Sequence, residues 1–202
     1  MRKAIGLAVM LALWAGAGLG QNPIKFRSTE TVGLSTGSAG NCFQLQTVNG
    51  VSKGPWFAGL GTGLDYYRFR SVPLFLSVTR DLAIGKRDWL FLYIDGGTNL
   101  PWYKRPAGSL ITPGGGEAST TFHSGEYWSG GLGYLWKLGD HSKKAVLVSV
   151  GYTVKKLREV QSASANECPN LGPCTMGTMT VPEPVIYEYL CRAYQLMIGF
   201  RF

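Results

Sequence analysis

The chain reads as an all-β protein, an eight-stranded antiparallel up-and-down barrel, on three observations. Its segments alternate apolar with small or polar residues at a period of two, the period of strands and not of helices. Turn signals divide the chain into eight such segments, an even number. The composition agrees, since 28 glycines and 12% aromatic residues with only 16% charge suit many short strands.

The first 20 residues stand apart. Arg2 and Lys3 precede an apolar stretch from Ala4 to Leu13, and small residues lead to Gly20. A charged start, a short apolar core and a small-residue exit predict a cleaved signal peptide over 1–20. The apolar core is shorter than the ~20 residues a membrane helix needs. The remainder, 21–202, is one domain by length. Removing Arg2 and Lys3 lowers the formal charge from +8 to +6. That excess lies in no basic run or basic helix, so no nucleic-acid partner is expected.

The strands follow in order. Thr29 to Gly37 is the first, and Cys42 to Val48 the second, with Phe43, Leu45 and Thr47 opposite Gln44 and Gln46. Asn49-Gly50 supplies a tight-turn signal, because both residues tolerate positive φ. The third, Trp56 to Tyr67, sets Leu60 and its neighbours against a row of Gly59, Gly61 and Gly63 that ends in Asp65. Such a row gives up packing, and close contact inside a narrow barrel is a reason for it. The fourth is Val72 to Arg80, and a polar turn through Gly85–Asp88 follows. The fifth, Trp89 to Leu100, places Leu90, Leu92 and Ile94 opposite Asp95.

A Gly/Pro-rich loop from Pro101 to about Ser124 leads to the sixth, Glu126 to Leu138, where Trp128, Leu132 and Trp136 oppose Gly131, Gly133 and Lys137. The seventh, Ala145 to Lys156, carries five outward candidates from Val146 to Val154 against Ser149, Gly151, Thr153 and Lys155. A second long loop reaches about Tyr189. The closing strand then puts Tyr194, Leu196, Ile198, Phe200 and Phe202 on one face and Arg201 on the other.

Alternation alone does not say which face looks into the barrel. Three features turn the apolar face outward, toward lipid, and make the barrel transmembrane. The charges Asp65, Asp95, Lys137, Lys155 and Arg201 all fall on the second face, mostly beside glycines, as a small polar interior requires. Trp128 and Trp136 share the apolar face about 20 Å apart in height, the spacing of aromatic girdles around a ~25 Å band. The second faces are small or polar, and the apolar faces are broad. The connections are unequal as well: short ones before strands three, five and seven, and the two longest before strands six and eight. Short periplasmic turns and long external loops make that pattern.

Residues Gly59 to Leu76 (GLGTGLDYYRFRSVPLFL), the signal peptide and the closing strand resemble the small eight-stranded outer-membrane β-barrels of bacteria, with porin-like or OmpA/OmpX-like folds. The resemblance covers essentially the whole mature chain. It implies an outer-membrane location, contact with outer-membrane lipid, and a terminal aromatic strand read by the barrel-insertion machinery. It specifies fold far better than activity and brings over no functional residues. The expected role is structural, adhesive or surface-binding through external loops whose ligand the sequence does not name. A lipid-modifying enzyme and a soluble lipocalin-like periplasmic carrier are the alternatives.

No catalytic residue, cofactor or metal is expected. Gly33-Leu34-Ser35-Thr36-Gly37 matches a nucleophile-elbow pattern, but no helix follows it, and Asp95 and His141 belong to distant segments. His123, Ser124 and Glu126 form the best remaining polar group, more simply read as a solvated cluster at the rim. Cys168 and Cys174 flank PNLGP, a compact turn able to join them, so an exported chain predicts a disulfide there. Whether Cys42 and Cys191 bridge is left open. A zinc site lacks ligands, the only histidines being His123 and His141.

Overall fold

A computed structural model describes residues 23–38, 40–66, 70–102, 118–139, 144–163 and 184–202. It is all-β, with no helix among these residues. The strands are β1 (Lys25–Gly37), β2 (Gly40–Lys53), β3 (Trp56–Asp65), β4 (Ser71–Ala83), β5 (Asp88–Pro101), β6 (Ala118–His123), β7 (Gly125–Lys137), β8 (Ala145–Ala163) and β9 (Val185–Arg201). All pairings are antiparallel, and β9 pairs with both β8 and β1, so the sheet closes into a barrel. Phe202 extends the closing seam through two backbone hydrogen bonds with Ser28, at 2.9 and 3.3 Å.

Eight staves make the wall, because β6 and β7 are two arms of one stave. His123 faces Arg158 and Tyr127 faces Lys155, so residues 124–126 oppose only 156 and 157. The extra residue is a β-bulge, which bends the stave where it leaves the barrel. Beyond it β6, β8 and β9 continue as a three-stranded extension.

The register sets the barrel's size. From Arg27 the inward neighbours run Gly50, Gly59, Ser77, Asp95, Ser129, Thr153 and Ala193, and the circuit ends on Gly37. Position 37 is ten residues beyond position 27, a shear of ten on eight strands. With ~3.3 Å per residue and ~4.8 Å between strands, the staves tilt by about 40° on a radius of about 8 Å. Side chains alone fill such an interior. Lys25, Phe202 and the ends of β2, β4 and β7 lie at one end, called the near end. The ends of β1, β3, β5 and β8 lie at the far end.

The structure moves several expected boundaries. Asn49 and Gly50 are not a turn: they sit in β2, paired with Leu60 and Gly59. The alternation of β2 runs on to Lys53, and the chain reverses at Gly54-Pro55, with Gly54 at φ 60°. Positive φ followed by the fixed φ of proline is the two-residue turn that matches strand twist. The loop placed between Pro101 and Ser124 ends in strand β6. The loop placed before Tyr189 is shortened at both sides, by β8 reaching Ala163 and β9 starting at Val185. Residues 1–20, His141, and the Cys168 and Cys174 pair lie outside the described residues. Cys42 and Cys191 are both buried and are not joined to each other.

The outside and the inside are inverted relative to a water-soluble protein. Leu60, Ile94, Leu132 and Val150 are exposed, from 62% for Leu60 to 49% for Val150. The closing-strand residues Tyr194, Leu196, Ile198, Phe200 and Phe202 are likewise exposed. Among the described residues the buried set is rich in serine, threonine, glutamine and charge. Two small apolar clusters bracket that polar interior. Phe91, Leu135, Ala145 and Leu147 lie toward the near end, and Cys42, Leu157, Cys191 and Ala193 toward the far end.

The lumen as candidate functional site

Inward side chains alternate with outward ones, so each stave contributes every second residue to the lumen. The glycine row of β3 is explained there. A Cβ on Gly61 would collide with the ring of Phe75, its partner across the β3–β4 pair. A Cβ on Gly59 would stand 2.6 Å from the Phe57 ring. Gly133 makes room in the same way for Phe91, and the facing pair Gly131 and Gly151 for the Tyr93 hydroxyl. Glycine thus admits an aromatic side chain, from another stave at Gly61, Gly131, Gly133 and Gly151 and from its own stave at Gly59.

Polar struts cross the lumen at three heights. At the far end the Lys155 ammonium on β8 makes an ion pair with Asp65 on β3, which also accepts from the Ser71 hydroxyl at 3.1 Å. These staves are diametrically opposite, since β4, β5 and β7 separate them. At mid-height the Gln46 amide on β2 donates to the Tyr127 hydroxyl on β7 at 3.1 Å, and Tyr127 is 0% exposed. Beside it, Ser35 and Gln195 both donate to Gln44 Oε1, at 2.8 and 3.0 Å, and Ser129 donates to Gln195 at 3.2 Å. At the near end Asp81 on β4 accepts from Arg27 at 2.6 Å and from Arg201 at 2.9 Å. The guanidinium of Arg27 stacks on Phe57 at 4.0 Å, and that of Arg201 on Phe91 at 4.8 Å.

Asp95 is 4% exposed and is engaged by the Ser77 hydroxyl, its cross-strand partner. Its Oδ1 has no hydrogen-bond partner among the described residues, and Asp95 lines a cavity of about 50 Å³. Serine and threonine hydroxyls line that cavity, and its size suits about three waters.

Of the five charges placed on the inner face by alternation, Asp65, Asp95, Lys155 and Arg201 are buried in the lumen. Lys137 is half-buried at the near mouth, its ammonium 4.0 Å from the Trp89 ring. The structure joins Lys155 to Asp65, whereas Arg201 is joined to residues not singled out from the sequence, Asp81 and through it Arg27. Both were within reach of the same parity: Arg27 precedes the inward Thr29, and Asp81 follows the inward Thr79.

Ser35 is held by Gln44 inside a regular strand, with no elbow, and Asp95 is engaged elsewhere. His123 and Ser124 are exposed beside the bulge, where Glu126 pairs with Lys156 at 2.7 Å, both side chains 61% exposed. No group of three potential metal ligands occurs among the described residues.

Comparison of the chain with protein-family models, with curated proteins and with solved structures gave no match.

Proposed function

We propose that the chain is an integral protein of the bacterial outer membrane, exported behind residues 1–20 and inserted as a closed barrel. Its role is structural or surface-binding, exercised through the long connections at the far end. One observation carries the reading: a closed sheet whose outer face is a belt of exposed leucine, isoleucine, valine and aromatic side chains around a polar, filled interior. In water such a belt, far larger than the apolar patches of soluble proteins, would drive aggregation; in lipid it is the required surface. A soluble carrier would direct the apolar faces inward around a ligand cavity. Here the inward faces are polar and cross-linked. The partners in this reading are outer-membrane lipid and, during assembly, the barrel-insertion machinery.

Cell fractionation with heat-modifiable gel migration tests the proposal. Outer-membrane fractionation and a faster-migrating unboiled band are expected. A single band in the periplasmic soluble fraction would refute it.

A further inference from the structure

Among the described residues, the near mouth of the lumen carries more side-chain donors than acceptors. Arg27 and Arg201 share one carboxylate, Asp81, each giving it one N–H. Nε and Nη2 of Arg27, Nε of Arg201 and the indole Nε1 of Trp89 are buried and have no acceptor among the described residues. Arg27 and Arg201 are 9% and 6% exposed, so bulk water does not readily replace one. All three side chains line one concavity at this end, with Lys25 and Lys137 beside them. Among the described residues that line it, four cations therefore meet one side-chain anion. Stacking on Phe57 and Phe91 covers the guanidinium faces and leaves the edges, where the N–H groups point, open to an acceptor.

We infer that the near mouth is an oxyanion site, built to take a phosphate group against Arg27, Arg201 and the Trp89 indole. A planar fork of N–H donors matches phosphate oxygens, and a buried unpaired donor is costly enough to favour an acceptor there. Lys25 and Lys137 at the opening draw the anion in and offset the repulsion from Asp81. The phosphate comes from a phospholipid headgroup or from free phosphate. The site rests on the barrel's geometry alone; the proposed membrane setting bears only on which source is present.

The test follows the Trp89 indole N–H by NMR, assigned with Trp89→Phe, in full-length folded protein in phosphate-free micelles. Inorganic phosphate, at constant ionic strength against chloride, should move this resonance saturably. The double variant Lys25→Gln/Lys137→Gln leaves the Arg27–Asp81–Arg201 cluster intact. It should bind about three- to tenfold more weakly, as expected for two screened charges. Lipid nanodiscs separate the sources. A headgroup source predicts a resonance already moved in phosphatidylglycerol discs, and not in phosphatidylcholine discs, before any phosphate is added. A free-phosphate source predicts that both discs start alike and respond to phosphate equally. No movement with phosphate or phosphatidylglycerol, an equal movement with chloride, or undiminished affinity in the double variant would each overturn the inference. Because the micelle arm needs no cellular localisation, its failure is distinguishable from a failed fractionation.

Discussion

Replacing Lys155 by methionine should cost more stability than any other single truncation in the lumen. The ammonium and the Asp65 carboxylate pair across the full width of the barrel, with side chains 3% and 0% exposed. Methionine keeps the length of the side chain and its fill of the space, so the change isolates the charge. Asp65 would keep the Ser71 hydroxyl at 3.1 Å but lose its cationic partner while staying buried. Orphaning one member of a buried pair costs about 3–5 kcal/mol, whereas replacing both members by apolar groups of similar volume is near neutral. The double variant Asp65→Leu/Lys155→Met should therefore recover most of the loss, with Ser71 left as the residual cost. Urea titration of the folded, faster-migrating gel band in lipid vesicles reads the difference. If Lys155→Met lies within about 1 kcal/mol of the parent, or the double variant is no better than the single, the strut is not the buried pair described here.

Further outcomes follow from the same geometry. Val150→Arg places a cation in the exposed belt between Leu132 and Leu196 and should lower the folded yield by the equivalent of about 2–4 kcal/mol, scored by heat-modifiable migration. Thr153→Ser, which keeps the lumenal hydroxyl that donates to the Trp128 carbonyl, should leave the yield unchanged. Gly151 is no silent control, because a side chain there would meet the Tyr93 hydroxyl. Gly61→Ala should destabilise by about 1–3 kcal/mol through overpacking against Phe75, with partial rescue by Phe75→Leu in the same titration. Non-reducing peptide mapping of envelope protein should recover Cys168 and Cys174 in one linked peptide; two alkylated thiols would defeat that pairing.

The strand count, the closure and the inward parity were legible because a period of two needs only local sequence. Phe43 against Gln44 and Leu76 against Ser77 each announce their faces without knowledge of a partner. The ends of strands were not legible in the same way. At Asn49-Gly50 a strong turn signal lost to the continuing ladder with β3, and the true reversal at Gly54-Pro55 carried an equally ordinary signature. The long arms of β8 and β9 pair polar and charged positions, such as Arg158 with Glu188, that do not read as strand by hydrophobic alternation. Partnership across the lumen was the least legible feature. Asp65 meets Lys155, and Arg201 meets Asp81, only because a shear of ten brings those heights together on opposite staves. Nothing in either local sequence specifies the shear. Arg27 and Asp81 were missed because the first segment was begun at Thr29, two residues after Arg27, and the fourth was ended at Arg80, one residue before Asp81.

The orientation of the two faces is the claim on which the rest depends, and collision accessibility along β8 tests it most directly. Single spin labels at 147, 148, 149, 150, 152 and 153, in a background freed of native cysteines and reconstituted in lipid bilayers, would be scanned with oxygen and a water-soluble nickel chelate. Labels at Val148, Val150 and Tyr152 should show high oxygen and low chelate collision. Labels at Leu147, Ser149 and Thr153 should be shielded from oxygen by the filled lumen. High oxygen collision at 149 and 153 with shielding at 148, 150 and 152, or free access of the chelate to the outward set, would contradict a lipid-facing belt around a polar interior.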